Sequence, residues 1–191
     1  MQWRAKMHLI RPHQLLGCAV LGLSLLLSGC GFQLRGLGTD MVNLQELRIE
    51  SRDQYSELHQ GVKQALEDNG VSITTSAPFR LQLLAEERDR VAVSYTSRSA
   101  PAEYELTNRL LFQVSDSQGR PLVGPETLTA RRVFVTDRDN ITGSNQEEEL
   151  LRQELRQDLI RQMLFRLSSL SESELSARAQ ALEQQATPAT P

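Results

Sequence analysis

Alternating hydrophobic and polar positions predict most of the strands in this protein. Apolar residues alternate across 42–50, 79–97, 104–114 and 127–136. A period of two is typical of strands that bury one face. Asp116-Ser117-Gln118-Gly119 is predicted to be a turn, because Gly adopts the positive φ that such turns require. The pattern therefore predicts four strands, with 79–97 forming either one long bent strand or two short ones.

Two other stretches have apolar residues at helical spacing. In 53–69 these residues are predicted to line one helix face, and Asn69-Gly70 is a typical helix stop. In 145–170 the apolar residues recur every three or four positions: Leu150, Leu151, Leu155, Leu159, Met163, Leu167 and Leu170. Ser144 followed by Glu147 predicts a capping box at the start of this second helix.

The predicted element order is β-α-β-β-β-α, an α+β fold over residues 42–170. Two amphipathic helices on one face of a four-stranded sheet would make a two-layer sandwich. The other face of the sheet would lack helices, and outward apolar residues such as Val133 and Val135 indicate that something covers it. Residues 171–191 are predicted to be a polar, disordered tail, although 171–185 is also compatible with a weak helix.

The N-terminus has the segment order of a secretory signal. Basic residues precede an apolar run at 15–27, which ends in Leu27-Ser28-Gly29-Cys30, a sequence typical of a bacterial lipobox. The run is shorter than the roughly 20 apolar residues that a membrane span needs. We therefore predict a signal peptide at 1–29, a diacylglycerol and an N-acyl chain on Cys30, and a linker at 30–41. An uncleaved anchor is the alternative.

Charge and residue types then exclude several functions. Removal of the signal leaves 18 basic and 24 acidic residues, a net charge of −6, so nucleic acid is a poor partner. His59 is the only histidine outside the signal and is predicted on a solvated helix face. No metal-ligand spacing, phosphate-binding loop or nucleophile–base set is present. The sequence predicts neither an enzyme nor a cofactor beyond the lipid on Cys30.

Arginine supplies nearly all the positive charge of the mature chain. Lys63 is its only lysine, against 17 arginines. A guanidinium binds phosphate through two parallel hydrogen bonds, so this bias is typical of proteins that bind anionic headgroups or a large protein partner. The arginines around the predicted strand at 79–97 and around the last strand would form a basic patch if these strands are close: Arg88, Arg90, Arg98, Arg131, Arg132 and Arg138. Pairing with surface Asp and Glu is equally compatible with their spacing.

Three segments resemble the LptE family of lipopolysaccharide-assembly lipoproteins. Cys30-Gly31-Phe32-Gln33-Leu34-Arg35-Gly36 resembles the family's mature start, and 98–105 and 145–167 are similar to two later stretches. The resemblance implies an outer-membrane lipoprotein that faces the periplasm. It further implies a plug that sits inside the lumen of the LptD β-barrel, helps that barrel assemble and helps insert lipopolysaccharide into the outer leaflet.

The resemblance also implies lipopolysaccharide binding through basic residues. The family's basic residue before the Ala-Glu-Tyr segment corresponds to Arg98. A second basic site, near the start of the last helix, has no lysine here, so Arg138 would substitute for it; Arg88 and Arg90 complete the predicted set. Gly31 after the lipidated cysteine matches the sorting rule for the outer membrane. The alternative is a lipid-tethered accessory subunit of an ABC transporter or another envelope complex.

Overall fold

The computed structural model describes residues 42–137 and 140–186. Its elements are β1 (Glu46–Ser51), α1 (Glu57–Asp68), β2 (Ser72–Ile73), β3 (Phe79–Tyr95), β4 (Pro101–Asp116), β5 (Pro121–Val135), α2 (Ile141–Ser168) and α3 (Glu172–Ala186). The predicted signal peptide, the linker with Cys30, and Arg138 lie outside the described residues.

The strands form one mixed sheet in the order β2-β1-β3-β4-β5. β1 is parallel to β2 and β3, whereas β3, β4 and β5 are antiparallel neighbours. The α+β class is confirmed, but the prediction of four strands is wrong because β2 is a fifth. A two-residue strand is too short to show alternation, so the hydrophobic pattern did not indicate it.

β3 is a single strand of 17 residues rather than two short strands. It pairs with β4 along its whole length, with register shifts after Leu83 and Ala92 that mark bulges. β1 pairs only with residues 80–83 of β3. The β3–β4 hairpin therefore extends well beyond β1, and we call residues 86–110 the hairpin arm.

One hydrophobic core lies between the sheet and the helices. α1 contributes Leu58, Val62 and Leu66 to it, and α2 contributes Leu155, Leu159, Met163 and Leu167. Burying each such side chain stabilises the fold by about 1.5–3 kcal/mol. The helices occupy one face of the sheet, as predicted, and Val133 and Val135 on the other face are 55% and 61% exposed.

α2 begins at Ile141, and its N-cap is Asn140 rather than the predicted Ser144 capping box. The side chain of Asn140 accepts a hydrogen bond from the Gly143 N–H, with Oδ1 3.0 Å from the nitrogen. A Cβ at residue 143 would collide with the Asn140 side chain, so glycine permits this cap. Ser144 instead binds a residue that precedes the helix: its Oγ accepts a hydrogen bond from the Asp137 N–H at 2.9 Å.

The polar C-terminal segment forms a third helix, α3, over Glu172–Ala186, so the prediction of two helices in the order β-α-β-β-β-α is wrong. Leu175 is its one fully buried residue, and Arg178 Nη1 donates to the Leu122 carbonyl of β5 at 2.9 Å. The helix that the pattern allowed at 171–185 is thus present. A single buried leucine produces almost no hydrophobic period, which explains why the sequence also predicted a disordered tail there.

Candidate functional site

Arg98 lies at the tip of the β3–β4 hairpin. The turn is closed by the Thr96 N–H, which donates to Ala100 O at 2.8 Å, and by the Ser99 N–H, which donates to Thr96 O at 2.9 Å. Ser99 has a positive φ of 57°, a conformation that reverses the chain tightly. The local hydrogen bonds therefore define the turn while the Arg98 side chain remains exposed.

The connection from β5 to α2 reaches the same end of the sheet. The Thr136 N–H donates to Ala102 O at 2.9 Å, so the ladder between β4 and β5 continues to the base of this turn. Asn140 then caps α2. Arg138 lies outside the described residues.

Arg90 is part of the packing between the hairpin arm and α2. Its guanidinium carbon lies 3.9 Å from the centre of the Tyr104 ring, and its Nη1 lies 3.3 Å from Glu148 Oε2. Both contacts are favourable, because a cation is attracted to an aromatic face and to a carboxylate. A phosphate that bound Arg90 would have to compete with Glu148.

Arg88 lies away from the tip. It pairs with Glu86 at 2.7 Å and lines a cavity of about 500 Å³ between β3 and the start of α1. Tyr95, the end of β3, is seven positions further along the strand. At 3.3 Å per residue, the distance between the two residues is about 23 Å. The structure therefore does not bring Arg88 together with Arg98.

Arg131 and Arg132 are on opposite faces of β5. Arg132 faces α2, where it pairs with Asp158 and lies 3.5 Å from Glu154. Arg131 is exposed on the face without helices. Successive residues of a strand alternate between faces, so this separation could have been inferred from the sequence. The five described arginines of the predicted patch are therefore dispersed.

The arginines also differ in whether they form ion pairs. Within residues 42–137 and 140–186, every arginine has a carboxylate oxygen within 4.0 Å except Arg52, Arg98 and Arg131. The alternative of surface ion pairs thus describes most of them. Arg98 differs from Arg88 and Arg90 because its charge is exposed and has no carboxylate partner among the described residues, a property that it shares with Arg52 and Arg131. Sequence spacing alone did not distinguish it from Arg88 or Arg90.

His59 is a packed residue of α1, and its predicted position on a solvated face is wrong. Its side chain is 8% exposed, and Nδ1 is buried with no hydrogen-bond partner among the described residues. Burial lowers the pKa of His59, the nearby Lys63 lowers it further, and Asp53 opposes them. A buried neutral imidazole of this kind contributes to packing rather than to proton transfer with a solvent-borne substrate.

Two further features of the described residues concern metals and membranes. Across 42–137 and 140–186, no three His, Cys, Asp or Glu side chains are grouped so that they could hold a metal ion. In the same part of the chain, no helix has the length and apolar character needed to span a bilayer.

The family model for LptE, described as lipopolysaccharide-assembly, matches residues 44–167. The chain is 30% identical over 160 residues to the LPS-assembly lipoprotein LptE of Pectobacterium atrosepticum, a match that covers 81% of this chain and 86% of that protein. It is 29% identical over 161 residues to the protein of the same name from Yersinia pestis, with 82% and 77% covered. This chain belongs to the LptE family.

Solved structures agree with that assignment. A minor lipoprotein from Acinetobacter baumannii has a TM-score of 0.57 and 26% identity over 65% of this chain and 91% of its own. A lipoprotein B from Nitrosomonas europaea has a TM-score of 0.61 at 17% identity, covering 77% and 96%, and shows the shared fold. The resemblance to LptE is thus confirmed, and the protein is an LPS-assembly lipoprotein of this family.

Proposed function

We propose that this LptE-family protein plugs an LptD-like outer-membrane β-barrel from the periplasmic face and helps that barrel assemble. In this role it assists the insertion of lipopolysaccharide into the outer leaflet and binds lipopolysaccharide through basic residues. The observation that carries the binding proposal is Arg98, an exposed guanidinium at the hairpin tip with no carboxylate within 4.0 Å in the part of the chain that the structure describes. Such a group is available for two parallel hydrogen bonds to a phosphate.

The contributions that we propose for the other basic residues depend on their positions relative to Arg98. Arg138 is the second proposed contact, because its connection begins beside the base of the hairpin turn. Arg90 lies further down the hairpin arm and would have to exchange Glu148 for a phosphate. Arg88 is more distant and paired with Glu86, so its contribution would be electrostatic and weak.

Lipopolysaccharide capture by the purified full-length chain tests the site. Arg98→Glu should weaken binding at least tenfold, because a charge-assisted hydrogen bond contributes about 1.5–3 kcal/mol and about 1.4 kcal/mol corresponds to a factor of ten. Arg52→Glu is the matched control, since Arg52 is also exposed and unpaired but follows β1. Equal binding by the Arg98 variant and the wild type would remove Arg98 from the site.

The barrel partner is tested by affinity purification from solubilised envelopes. A large outer-membrane β-barrel should accompany the wild-type chain and also the Arg98→Glu variant, because the plug interface does not depend on one exposed residue at the tip. Recovery of an inner-membrane permease instead of a barrel would favour the accessory subunit of an ABC transporter.

The lipid anchor is proposed at Cys30. Each buried CH₂ contributes about 0.8 kcal/mol, and two or more acyl chains make attachment stable. In cells without the barrel partner, Cys30→Ala should move the protein from the membrane fraction to the soluble periplasmic fraction. Mass spectrometry of the mature protein should show acyl chains on Cys30, and an unmodified cysteine would contradict the proposal.

A further inference from the structure

β5 is an edge strand, and its last five residues, 131–135, form what we call the open edge. The carbonyl of Thr129 accepts from Gln162 at 3.1 Å, and that of Arg131 accepts from the side chain of Arg132 at 2.8 Å. The odd-numbered residues here therefore direct their backbone groups away from β4, whereas the Thr136 N–H donates to β4. Among described residues, none hydrogen-bonds the outward groups of Val133 or Val135.

The earlier part of β5 is protected in ways that the open edge is not. Pro121 and Pro125 offer no N–H to a further strand, and Arg178 and Gln162 occupy the carbonyls of Leu122 and Thr129. Proteins commonly protect edge strands by such means, because an unprotected edge pairs with other chains. The Arg131 carbonyl is likewise occupied by the Arg132 side chain, so this protection stops before Val133 and leaves Val133 and Val135 as the place where pairing is allowed.

Side chains on the helix-free face of this edge are suited to an added strand, and an exposed aromatic residue lies beside the earlier part of β5. Arg131, Val133 and Val135 share the helix-free face, where both valines are more than half exposed and Arg131 has no carboxylate partner in the described part of the chain. On the helix side, a shallow groove of about 460 Å³ lies next to β5 and includes Leu128 and Phe165. Phe165 is 66% exposed, which is unusual for a phenylalanine in a long helix.

We propose that β5 accepts an extended segment of another polypeptide as a sixth strand of the sheet. Main-chain hydrogen bonds to Val133 and Val135 would supply affinity, and alternate side chains would supply specificity. The segment should carry apolar residues against the exposed valines and Phe165, and a carboxylate opposite Arg131. This surface lies on β5 and α2, and its binding partner is a peptide rather than lipopolysaccharide.

A second copy of this chain is a poorer occupant. Antiparallel pairing of two open edges about Val133 places Arg131 opposite Val135 of the other copy, so neither Arg131 gains a carboxylate directly opposite. An arginine left without a counter-ion in a newly formed sheet gains nothing from the added strand. An acidic extended segment would hydrogen-bond the outward backbone groups of Val133 and Val135 and also place a carboxylate opposite Arg131.

The experiment uses a fluorescein-labelled ten-residue peptide of alternating valine and threonine, with a single glutamate placed to face Arg131. Its binding to the purified full-length chain is measured by fluorescence anisotropy. Arg131→Glu should weaken binding at least tenfold, whereas Arg52→Glu should leave it unchanged. Val133→Pro should also weaken it at least tenfold, because proline removes the outward N–H without removing a bond to β4.

A second pair of peptides distinguishes strand addition from nonspecific binding. N-methyl groups on the peptide amides that face β5 should abolish binding, and the same groups on the opposite amides should not. Circular dichroism of each variant confirms that the sheet is intact, and lipopolysaccharide capture should be unaffected by Arg131→Glu.

Two results would overturn the proposal: the wild type does not bind the peptide, or the Arg131→Glu and Val133→Pro variants bind it as tightly as the wild type. Arg131 would then be a charge that prevents edge pairing. A wild-type dimer that Val133→Pro converts to a monomer would also overturn it.

Discussion

Arg166 of α2 binds Glu126 of β5 through two parallel hydrogen bonds. Arg166 Nε lies 2.7 Å from Glu126 Oε2, and Nη2 lies 2.7 Å from Oε1. The two residues are 40 positions apart in the chain, so the pair joins the last helix of the core to the edge strand. Hydrogen bonding from Arg166 lowers the pKa of Glu126 below its ordinary value of 4.5, although partial burial opposes the shift.

Loss of this pair should destabilise the fold in a pH-dependent way. We expect Glu126→Gln to lower the free energy of unfolding at pH 7 by about 1 kcal/mol, a modest figure because both side chains are about one-third exposed to solvent. A carboxylate with a depressed pKa stabilises the native state above its unfolded pKa, and this contribution is lost as the pH falls through the folded pKa. Urea unfolding at pH 7 and about pH 3 should therefore show a larger difference from the wild type at pH 7 than at pH 3.

A matched control for that measurement is Lys63→Met. Lys63 Nζ lies 3.9 Å from Glu67 in an exposed pair within α1. Such a pair contributes about 0.3–0.5 kcal/mol, so its removal should be nearly neutral. If Glu126→Gln lowered stability equally at both pH values, packing rather than charge would explain the contact.

His59 should make the protein less stable in mild acid. Burial lowers its pKa from 6.5, so the unfolded chain takes up a proton before the native state does. The free energy of unfolding should fall as the pH drops from about 7.5 to 5.5, and the decrease should level off below the folded pKa. His59→Gln, which cannot be protonated, should remove the histidine's share of this slope.

Urea unfolding of the wild type and the His59→Gln variant across that range provides the measurement. His59 is the only histidine beyond the predicted cleavage point, so no other imidazole contributes there. Identical pH dependence in the two proteins would show that the imidazole is not excluded from water as the structure indicates.

Leu175 tests whether α3 belongs to the core. Its side chain is fully buried, so Leu175→Ala should lower the free energy of unfolding by about 2–5 kcal/mol through lost burial and the cavity left behind. Leu150→Ala is the matched control, because Leu150 lies in α2 but is 60% exposed, and it should change stability by less than about 0.5 kcal/mol. Similar results for both variants would place α3 outside the cooperative unit.

The limits of the sequence are clearest at its charged and polar positions. Arg88, Arg90 and Arg98 lie within eleven consecutive residues, yet the first pairs with Glu86, the second lies between Tyr104 and Glu148, and only the third has no ion-pair partner in the described ranges. Glu86 is two residues before Arg88 on β3, but Tyr104 and Glu148 come from β4 and α2. No spacing rule within β3 predicts that Arg90 will lie between a distant ring and a distant carboxylate after folding.

The periodic elements and the family were determined by the sequence alone. A period of two identified β3, β4 and β5, a period near 3.6 identified α1 and most of α2, and the lipobox with the mature start indicated an LptE-like lipoprotein. These signals are local, because backbone geometry sets which neighbouring side chains share a face. The sequence therefore determined them without knowledge of the rest of the chain.

Tertiary structure decided everything that depends on contacts between distant segments. β2 exists because Ser72–Ile73 pairs with β1, α3 is held by one leucine, and His59 is buried although the sequence predicted it on a solvated face of α1. The same holds for the unpaired charge of Arg98 and for the open edge of β5. Pairing, burial and exposure are properties of the assembled sheet and helices, so only the folded chain fixes them.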